Sequence, residues 1–236
     1  MIDELAVETR DGLLCVTLNR PQKANALTLE MLQALTRVLS EARVDASVRG
    51  VLLAGAGGRV FSGGVDVRQT STLPEAEFRL LRSQTFFALL LQLIDCEKPV
   101  AAAVNGTASG GGCMMALVAD VIVASDTALF TLPEIDLGMP ALAGLAIIAP
   151  LAGGALAADL VQSGRRMNAD EALRHGLVRS VTQGDKVDAE AERFVRELMA
   201  KTPRAFARNK QWSRAQMRIE LERAEQEMVT YRATPR

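Results

Sequence analysis

Residues 104–124 read V-N-G-T-A-S-G-G-G-C-M-M-A-L-V-A-D-V-I-V-A, and they decide how the rest of the chain is interpreted. An apolar run at residues 99–104 predicts a buried strand leading into this segment. The glycine triplet at residues 110–112 then opens an apolar stretch that predicts a helix. Because the first N–H groups of a helix lack partners within it, they converge on one spot after such a turn. That spot suits an anion, or a carbonyl oxygen that becomes one during a reaction.

The composition predicts one globular domain over residues 1–236, because 49% of the residues are apolar and 23% are charged. Lys and Arg number 27 against 28 Asp and Glu, so the charge gives no reason to expect nucleic acid or a membrane surface as a partner. Cys15, Cys96 and Cys113 lie in apolar runs without C-x-x-C spacing. They predict buried free thiols in a cytoplasmic protein. One histidine and scattered cysteines predict no metal site.

One stretch resembles a membrane span, because residues 137–158 carry no charge. It contains four glycines and two prolines, however, and much of the rest is alanine. This composition favours close packing against a pocket or a subunit contact over a lipid-facing helix. The N-terminus has neither a basic region nor an apolar run of the kind that signal peptides carry.

Strand and helix patterns alternate along the chain and predict an α/β fold with several buried strands. Strands are predicted at residues 5–9, 13–18, 51–54, 99–104, 118–124, 128–131 and 177–181. Helices are predicted at residues 28–43, with Thr28 as the N-cap, and at 78–94, 145–151, 155–162, 169–174, 187–201 and 203–230. Residues 55–64 and 133–140 are predicted to be loops.

Two glycine-rich loops follow two of the buried strands. They read G-A-G-G-R-V-F-S-G-G-V-D at residues 55–66 and N-G-T-A-S-G-G-G at residues 105–112. Neither matches a dinucleotide fingerprint or a phosphate-binding loop. Each loop alone is explained as simply by a tight turn, so the two carry weight only together and with their flanking residues.

Five segments in this order resemble the crotonase family, the enoyl-CoA hydratase/isomerase superfamily. They are L-N-R-P-Q-K-A-N-A-L-T at residues 18–28, V-F-S-G-G-V-D-V at 60–67, K-P-V-A-A-A-V-N-G-T-A-S-G-G-G-C at 98–113, A-D-V-I-V-A-S-D-T-A-L-F-T-L-P-E-I-D-L-G at 119–138 and A-D-E-A-L-R-H-G-L-V at 169–178. The resemblance implies a crotonase-like spiral of β-β-α units over residues 1–185 and a helical C-terminal region over 186–236. It also implies a homotrimer or hexamer and acyl-CoA substrates, with coenzyme A as part of the substrate and no separate cofactor.

The resemblance assigns roles to backbone groups in both glycine loops. The N–H groups of Val65 and Gly111 are expected to hold the thioester carbonyl as it becomes an enolate. One such donor is worth roughly 3 kcal/mol in the transition state. By the same resemblance, the residues expected to contact coenzyme A are Lys23, Ala24, Ala26, Gly63 and Arg68, with Arg68 reaching the phosphates.

The acid–base residues depart from the hydratase pattern. Hydratases of this family carry one glutamate in G-G-C-E and a second in P-E-I-x-L-G. Here these positions hold Met114 and Glu134. Hydration divides its proton transfers between two carboxylates, whereas moving a double bond from C3 to C2 needs one base. The pattern therefore favours a Δ3,Δ2-enoyl-CoA isomerase with Glu134 as base, its pKa raised by the apolar Met114.

Several alternatives remain at this point. Glu134 taken alone could be a solvated loop acid, and Asp136 is a spare candidate predicted to face the other way in an extended segment. A hydratase or dehydratase using Glu134 alone, on coenzyme A or on an acyl carrier protein, is the first rival. A non-catalytic family member that binds acyl-CoA or a partner is the second. Relatives continue with a short helix bearing an aromatic residue and a lysine, so the C-terminal region is expected to be shortened.

Overall fold

A computed structural model describes residues 3–233, and every statement below concerns these residues. The strands are β1 (Leu5–Arg10), β2 (Leu13–Leu18), β3 (Gly50–Gly55), β4 (Val60–Ser62), β5 (Val100–Val104), β6 (Thr107–Ser109), β7 (Val121–Ser125), β8 (Leu129–Thr131), β9 (Arg166–Asn168) and β10 (Ser180–Thr182). The helices are α1 (Leu29–Val44), α2 (Glu75–Asp95), α3 (Gly111–Leu117), α4 (Leu142–Ala152), α5 (Gly154–Ser163), α6 (Ala169–Arg174), α7 (Val187–Met199) and α8 (Pro203–Ala233).

The strands form two sheets. The larger sheet has the order β1-β2-β3-β5-β7-β10 and is parallel except for the β1–β2 hairpin. The smaller sheet has the order β4-β6-β8-β9. Strands β3, β5 and β7 are buried along their whole length, as their unbroken apolar sequences require of a parallel sheet covered on both faces. The predicted α/β class is confirmed.

A strand–strand–helix order repeats along the chain. Each of β3, β5 and β7 in the larger sheet is followed directly by a strand of the smaller sheet, namely β4, β6 and β8. The connection after β5 is tight, because the Asn105 side chain donates to the Gly55 carbonyl oxygen at 2.6 Å. A Cβ at Gly106 would lie 2.0 Å from the Arg59 carbonyl oxygen, so only glycine fits there. This packing sets the ends of β4 and β6 side by side.

Helices α7 and α8 cover different parts of this core. Helix α7 contacts β3, β5 and β7 and buries Val187, Ala191 and Val195 against the larger sheet. Helix α8 packs on α2 and α4. It extends to Ala233 and so passes the predicted end at residue 230. The last residues of the predicted domain, 234–236, and the first two lie outside the described residues.

Four local predictions differ from the structure. The loop at 55–64 contains β4, because its V-F-S segment pairs with β6. The strand predicted at 118–124 begins at Val121, since α3 ends at Leu117 and a turn follows. The strand predicted at 177–181 lies at Ser180–Thr182. The loop at 133–140 contains a 3-10 helix, Pro133–Leu137, so the prediction that Asp136 lies in an extended segment is wrong.

Other local predictions are confirmed. The Thr28 hydroxyl accepts a hydrogen bond from the Met31 N–H at 3.2 Å and caps α1. Cys15, Cys96 and Cys113 are buried free thiols. Among the described residues, no helix combines the length and apolar character that crossing a membrane requires.

Candidate active site

The two glycine loops meet because β4 and β6 are neighbouring parallel strands that end side by side. A Cβ added to Gly64 would lie 2.7 Å from the Ser109 carbonyl oxygen and 3.0 Å from the Gly111 nitrogen. Gly64 has φ +90° and Gly110 has φ +51°, the left-handed region that favours glycine. Both glycines are therefore needed for the loops to approach this closely.

The two N–H groups singled out in the sequence lie at this junction. The Leu27 N–H donates to the Gly64 carbonyl, and the Asp66 N–H donates to the Leu27 carbonyl, both at 2.8 Å. These two hydrogen bonds involve the residues on either side of Val65, as in a parallel β-bridge. The Val65 N–H therefore points away from Leu27. Gly111 is the first residue of α3, where an N–H has no partner within the helix. Neither N–H is engaged by another group within residues 3–233.

A cavity of about 190 Å³ opens beside these N–H groups. Side chains of α2, α3, α4 and α8 form its walls, and most of them are apolar. The lining residues are Gly63, Gly64, Val65, Val67, Arg82, Ser83, Phe86, Phe87, Ser109, Gly110, Gly111, Met114, Pro133, Glu134, Leu137, Met139, Pro140, Ala141, Leu142, Ala143, Met228 and Arg232. Residues 137–143 confirm that part of the uncharged 137–158 stretch forms a pocket wall.

Glu134 projects into this cavity from the 3-10 helix that follows β8. A Cβ at Gly110 would lie 2.8 Å from Glu134 Oε1, so the missing side chain at Gly110 leaves room for the carboxyl group. Glu134 Oε2 is buried and has no hydrogen-bond partner in the described part of the chain. This burial raises the pKa of Glu134 from 4.5 to about 7, because the carboxylate loses hydration. Near neutral pH such a group can both take and return a proton.

The residues that accompany Glu134 in the sequence motifs do not supply a second acid or base to the cavity. Met114 is 4% exposed and lines the same cavity. The neighbouring Cys113 is buried, and burial raises the pKa of its thiol well above the ordinary value, so it remains protonated. Asp136 is exposed and does not line the cavity. Glu134 is thus the one carboxyl group among the described lining residues.

Of the residues expected to contact coenzyme A, some lie at the cavity and others lie on the exposed surface. Gly63 lines the cavity, and its N–H donates to the Ala24 carbonyl oxygen at 2.7 Å, which brings Ala24 to the cavity's edge. Lys23 is exposed at the end of a short 3-10 helix, Pro21–Lys23. The Ala26 carbonyl accepts from Arg20 at 2.6 Å, and Arg68 is exposed. The assignment of these five residues to coenzyme A stays a prediction.

Several cavity residues gave no signal in the sequence. Arg82, Ser83 and Phe86 come from α2, and Met228 and Arg232 come from α8. The apolar pattern of α2 predicted a helix, but no motif indicated which of its residues would face the site. The sequence around residue 228 predicts a helix but not its contacts, since no local pattern shows that α8 packs against α2.

Comparison with known proteins finds one family and several relatives that match this chain over most of its length. A sequence profile of the enoyl-CoA hydratase/isomerase family matches residues 8–234. The short-chain-enoyl-CoA hydratase of Clostridium acetobutylicum is 33% identical over 227 residues, covering 94% of this chain and 85% of that protein. The carnitinyl-CoA dehydratase of Proteus mirabilis is 36% identical over 225 residues, covering 94% and 84%.

Solved structures resemble this chain over nearly its whole length. An enoyl-CoA hydratase from Mycobacterium avium subsp. paratuberculosis has a TM-score of 0.86 at 29% identity and covers 98% of this chain and 89% of that one. An enoyl-CoA hydratase/isomerase from Xanthobacter autotrophicus also has a TM-score of 0.86, at 30% identity, covering 98% and 87%. The predicted crotonase-like fold with a helical C-terminal region is therefore confirmed.

Proposed function

This chain belongs to the enoyl-CoA hydratase/isomerase family, and on that premise we propose that it moves a double bond within an enoyl thioester, with Glu134 as the base. The Val65 and Gly111 N–H groups would receive the thioester carbonyl oxygen. Their unengaged state within residues 3–233 and their closeness across the Gly64 contact support this role.

The proposed reaction is a 1,3-proton transfer in two steps. The Glu134 carboxylate takes a proton from C2 of a 3-enoyl thioester, and the electron pair moves onto the carbonyl oxygen as an enolate. The protonated Glu134 then returns its proton to C4, while the enolate collapses and the double bond forms between C2 and C3. One proton and one carboxyl group suffice, and no water or redox partner takes part.

The observation that carries this proposal is that Glu134 supplies the one carboxyl group among the described residues that line the cavity. Met114 fills the position of the second glutamate of the hydratase pattern, and it is packed against the site instead of exposed. An apolar wall at that position offers no group to orient water. The raised pKa of Glu134 suits both halves of the transfer, because the same group must first accept a proton and then donate it.

Hydration or dehydration is the second candidate, favoured by the names of the relatives at 33% and 36% identity. In that reaction Glu134 alone would exchange protons with water and with the thioester. The enzyme should be incubated separately with a 3-enoyl-CoA and with the matching 2-enoyl-CoA, following the absorbance of the conjugated thioester. We expect the first incubation to gain conjugated product. Conversion of the 2-enoyl substrate to a 3-hydroxy product, with no isomerisation, would establish the second candidate instead.

Two further expectations belong to this proposal. The carrier of the acyl group is coenzyme A, and the assembly is a homotrimer or hexamer. Turnover of matched thioesters of coenzyme A and of an acyl carrier protein distinguishes the carriers. Light scattering on the purified protein gives the subunit number. Higher kcat/KM on the carrier-protein thioester would overturn the first expectation, and a monomer would overturn the second.

A further inference from the structure

Two arginines line the same cavity as Glu134. Arg82 extends from α2 and Arg232 from α8, where the two helices pack against each other, and both side chains are half-buried. With Glu134 they are the ionisable residues among the described lining residues. Because the remaining wall is mostly apolar, these two cations are an unusual feature of a site for a plain hydrocarbon chain.

Neither arginine has a carboxylate partner within residues 3–233. Arg82 donates to the Asp66 backbone carbonyl at 2.7 Å, and Arg232 donates to the Arg79 backbone carbonyl at 2.5 Å. The nearby carboxylates are already paired, since Asp66 lies 3.1 Å from Arg20 and Glu75 pairs with Arg79. A guanidinium has five N–H donors, so both arginines keep donors for another partner.

Burial makes the surroundings of the two guanidinium groups unfavourable for positive charge. The charge of Asp66 and the Phe78 ring, whose centroid lies 5.3 Å from Arg82 Cζ, offset this only in part at Arg82. Burial lowers the pKa of Arg82 and that of Arg232. The positive charges of Arg82 and Arg79 lower the pKa of Arg232 further. Like charges held together beside an apolar cavity weaken the fold unless a negative group sits between them. The cavity is where such a group could enter, because both side chains line it.

We propose that Arg82 and Arg232 select acyl thioesters that carry a carboxylate at the far end of the acyl chain. This inference rests on the proposed function, since it places the thioester at Val65 and Gly111 and the acyl chain in the cavity. A carboxylate accepts two parallel hydrogen bonds from a guanidinium, which is the geometry that an unpaired arginine offers. A terminal trimethylammonium group would be repelled by the same pair.

A phosphate of coenzyme A is the other anion that these arginines could meet. The shared chemistry is an oxyanion accepting hydrogen bonds from guanidinium groups. The two sources differ in one respect. A phosphate is present in every acyl-CoA, whereas a terminal carboxylate is present only in some. Discrimination between acyl groups therefore separates them.

The test measures binding by calorimetry, so it does not depend on turnover. Saturated acyl-CoA thioesters of four, five and six carbons are compared in pairs with and without a terminal carboxylate, together with a trimethylammonio-acyl-CoA. We expect the carboxylate member to bind roughly 10- to 100-fold more tightly at the best chain length. Arg82→Met and Arg232→Met should each remove at least tenfold of that preference. Arg43→Met is the matched control, because Arg43 is exposed, lies outside the cavity lining and has no contact with Arg82 or Arg232.

Several other results would overturn the proposal that the two arginines select a terminal carboxylate. Equal binding of both members of every pair would overturn the inference while leaving the proposed function intact. Equal losses on both members in Arg82→Met would assign the arginines to the phosphates and also overturn it. If no thioester binds, the proposed function fails and the inference with it. Should Arg82→Met not fold, Arg82→Gln keeps a polar side chain without the charge and must likewise remove at least tenfold of the preference; full retention of the preference in Arg82→Gln would overturn the inference.

Discussion

The carboxyl group of Glu134 lies against Gly110, with Oε2 buried and without a partner in the described part of the chain. The burial of this carboxyl group makes it a stronger base. An exposed glutamate would remain ionised at neutral pH and would be a weak base. The raised pKa of Glu134 has two consequences that can be measured.

The first concerns the pH dependence of turnover. Glu134 must be ionised to take a proton, so kcat/KM should rise with pH and level off above an apparent pKa of about 7. Steady-state rates on a 3-enoyl-CoA between pH 5 and 9 measure this profile. A profile that is flat between pH 5 and 8 would mean that Glu134 is not the base, or that its pKa is not raised.

The second concerns stability. Because the pKa of Glu134 rises from 4.5 unfolded to about 7 folded, the unfolded state ionises first as the pH increases. The contribution of Glu134 to the free energy of unfolding should therefore fall by about 3 kcal/mol between pH 4.5 and pH 7, at 1.36 kcal/mol per pKa unit. Glu134→Gln lacks this loss. Urea unfolding at pH 4.5 and pH 8 measures the free energy of unfolding of both proteins. Relative to the wild type, the variant should be more stable at pH 8 than at pH 4.5. A difference that does not change with pH would contradict the prediction.

Some residues of the site are predictable from the sequence and others are not, for a physical reason. Glu134 and Met114 could be identified because short motifs fix their distance from a glycine turn. Arg82 and Arg232 could not, because their meeting depends on how α8 packs against α2, some 150 residues apart in sequence. The error over Asp136 arose because Pro133 starts a 3-10 helix, and the residues of such a turn do not alternate sides.

At the scale of the elements, the site depends on how closely the loops after β4 and β6 approach each other. A one-carbon change tests this directly. In Gly64→Ala, the new Cβ would lie 2.7 Å from the Ser109 carbonyl oxygen and 3.0 Å from the Gly111 nitrogen. The loops must separate, which moves the Val65 and Gly111 donors apart. We expect kcat to fall about 10²–10³-fold, the effect of losing one such donor.

Gly58→Ala is the matched control for this change. Gly58 also has a positive φ, +67°, but no atom lies within 4 Å of an added Cβ. It should lose about 1 kcal/mol of stability from backbone strain and keep its activity. Stopped assays and thermal unfolding of both variants make the comparison. Equal effects on kcat in the two variants would show that strain, not the loop contact, is responsible.

Several short elements escaped prediction because three residues give no periodic pattern. Strand β4 lies within the loop predicted at residues 55–64, and the sequence pattern predicts no strand at β6 or β9. Their pairing into a second sheet is a tertiary effect, in which β6 forms between β4 and β8. The longer elements are predictable from the sequence, because apolar residues repeat at a clear period in α1 and form an unbroken run in β5.

For the whole molecule, a buried ion pair attaches α8 to the larger sheet. Lys210 Nζ lies 2.6 Å from Asp120 Oδ2, and the two side chains are 3% and 10% exposed. The same carboxylate oxygen accepts the Val100 N–H at 2.8 Å, at the start of β5. Lys210→Met would leave Asp120 buried without its cation, which should cost about 3–5 kcal/mol of unfolding free energy.

Chemical unfolding measures this cost against a surface control. Glu197→Gln breaks an exposed pair with Arg193, whose side chains are about half exposed, and should change stability by no more than about 0.5 kcal/mol. The double variant Asp120→Asn/Lys210→Met should recover part of the loss, because it leaves no unpaired charge. A loss of under 1 kcal/mol in Lys210→Met would show that the pair does not anchor α8.

The fold class and the family followed from the sequence because five motifs occur in order along most of the chain. The sequence does not predict the sheet order, the α2–α8 packing or the volume of the cavity, since each depends on contacts between distant segments. The subunit number, the division of the chain at residue 185 and the cytoplasmic location stay predictions.

The most direct test of the central claim is the rate at which Glu134→Gln converts a 3-enoyl-CoA into the conjugated 2-enoyl-CoA. The substitution keeps the size of the side chain and removes its basicity. The account predicts that kcat falls about 10²–10⁴-fold while thioester binding, measured by calorimetry, changes little. A variant that isomerises the substrate at the wild-type rate would contradict the claim that Glu134 is the base.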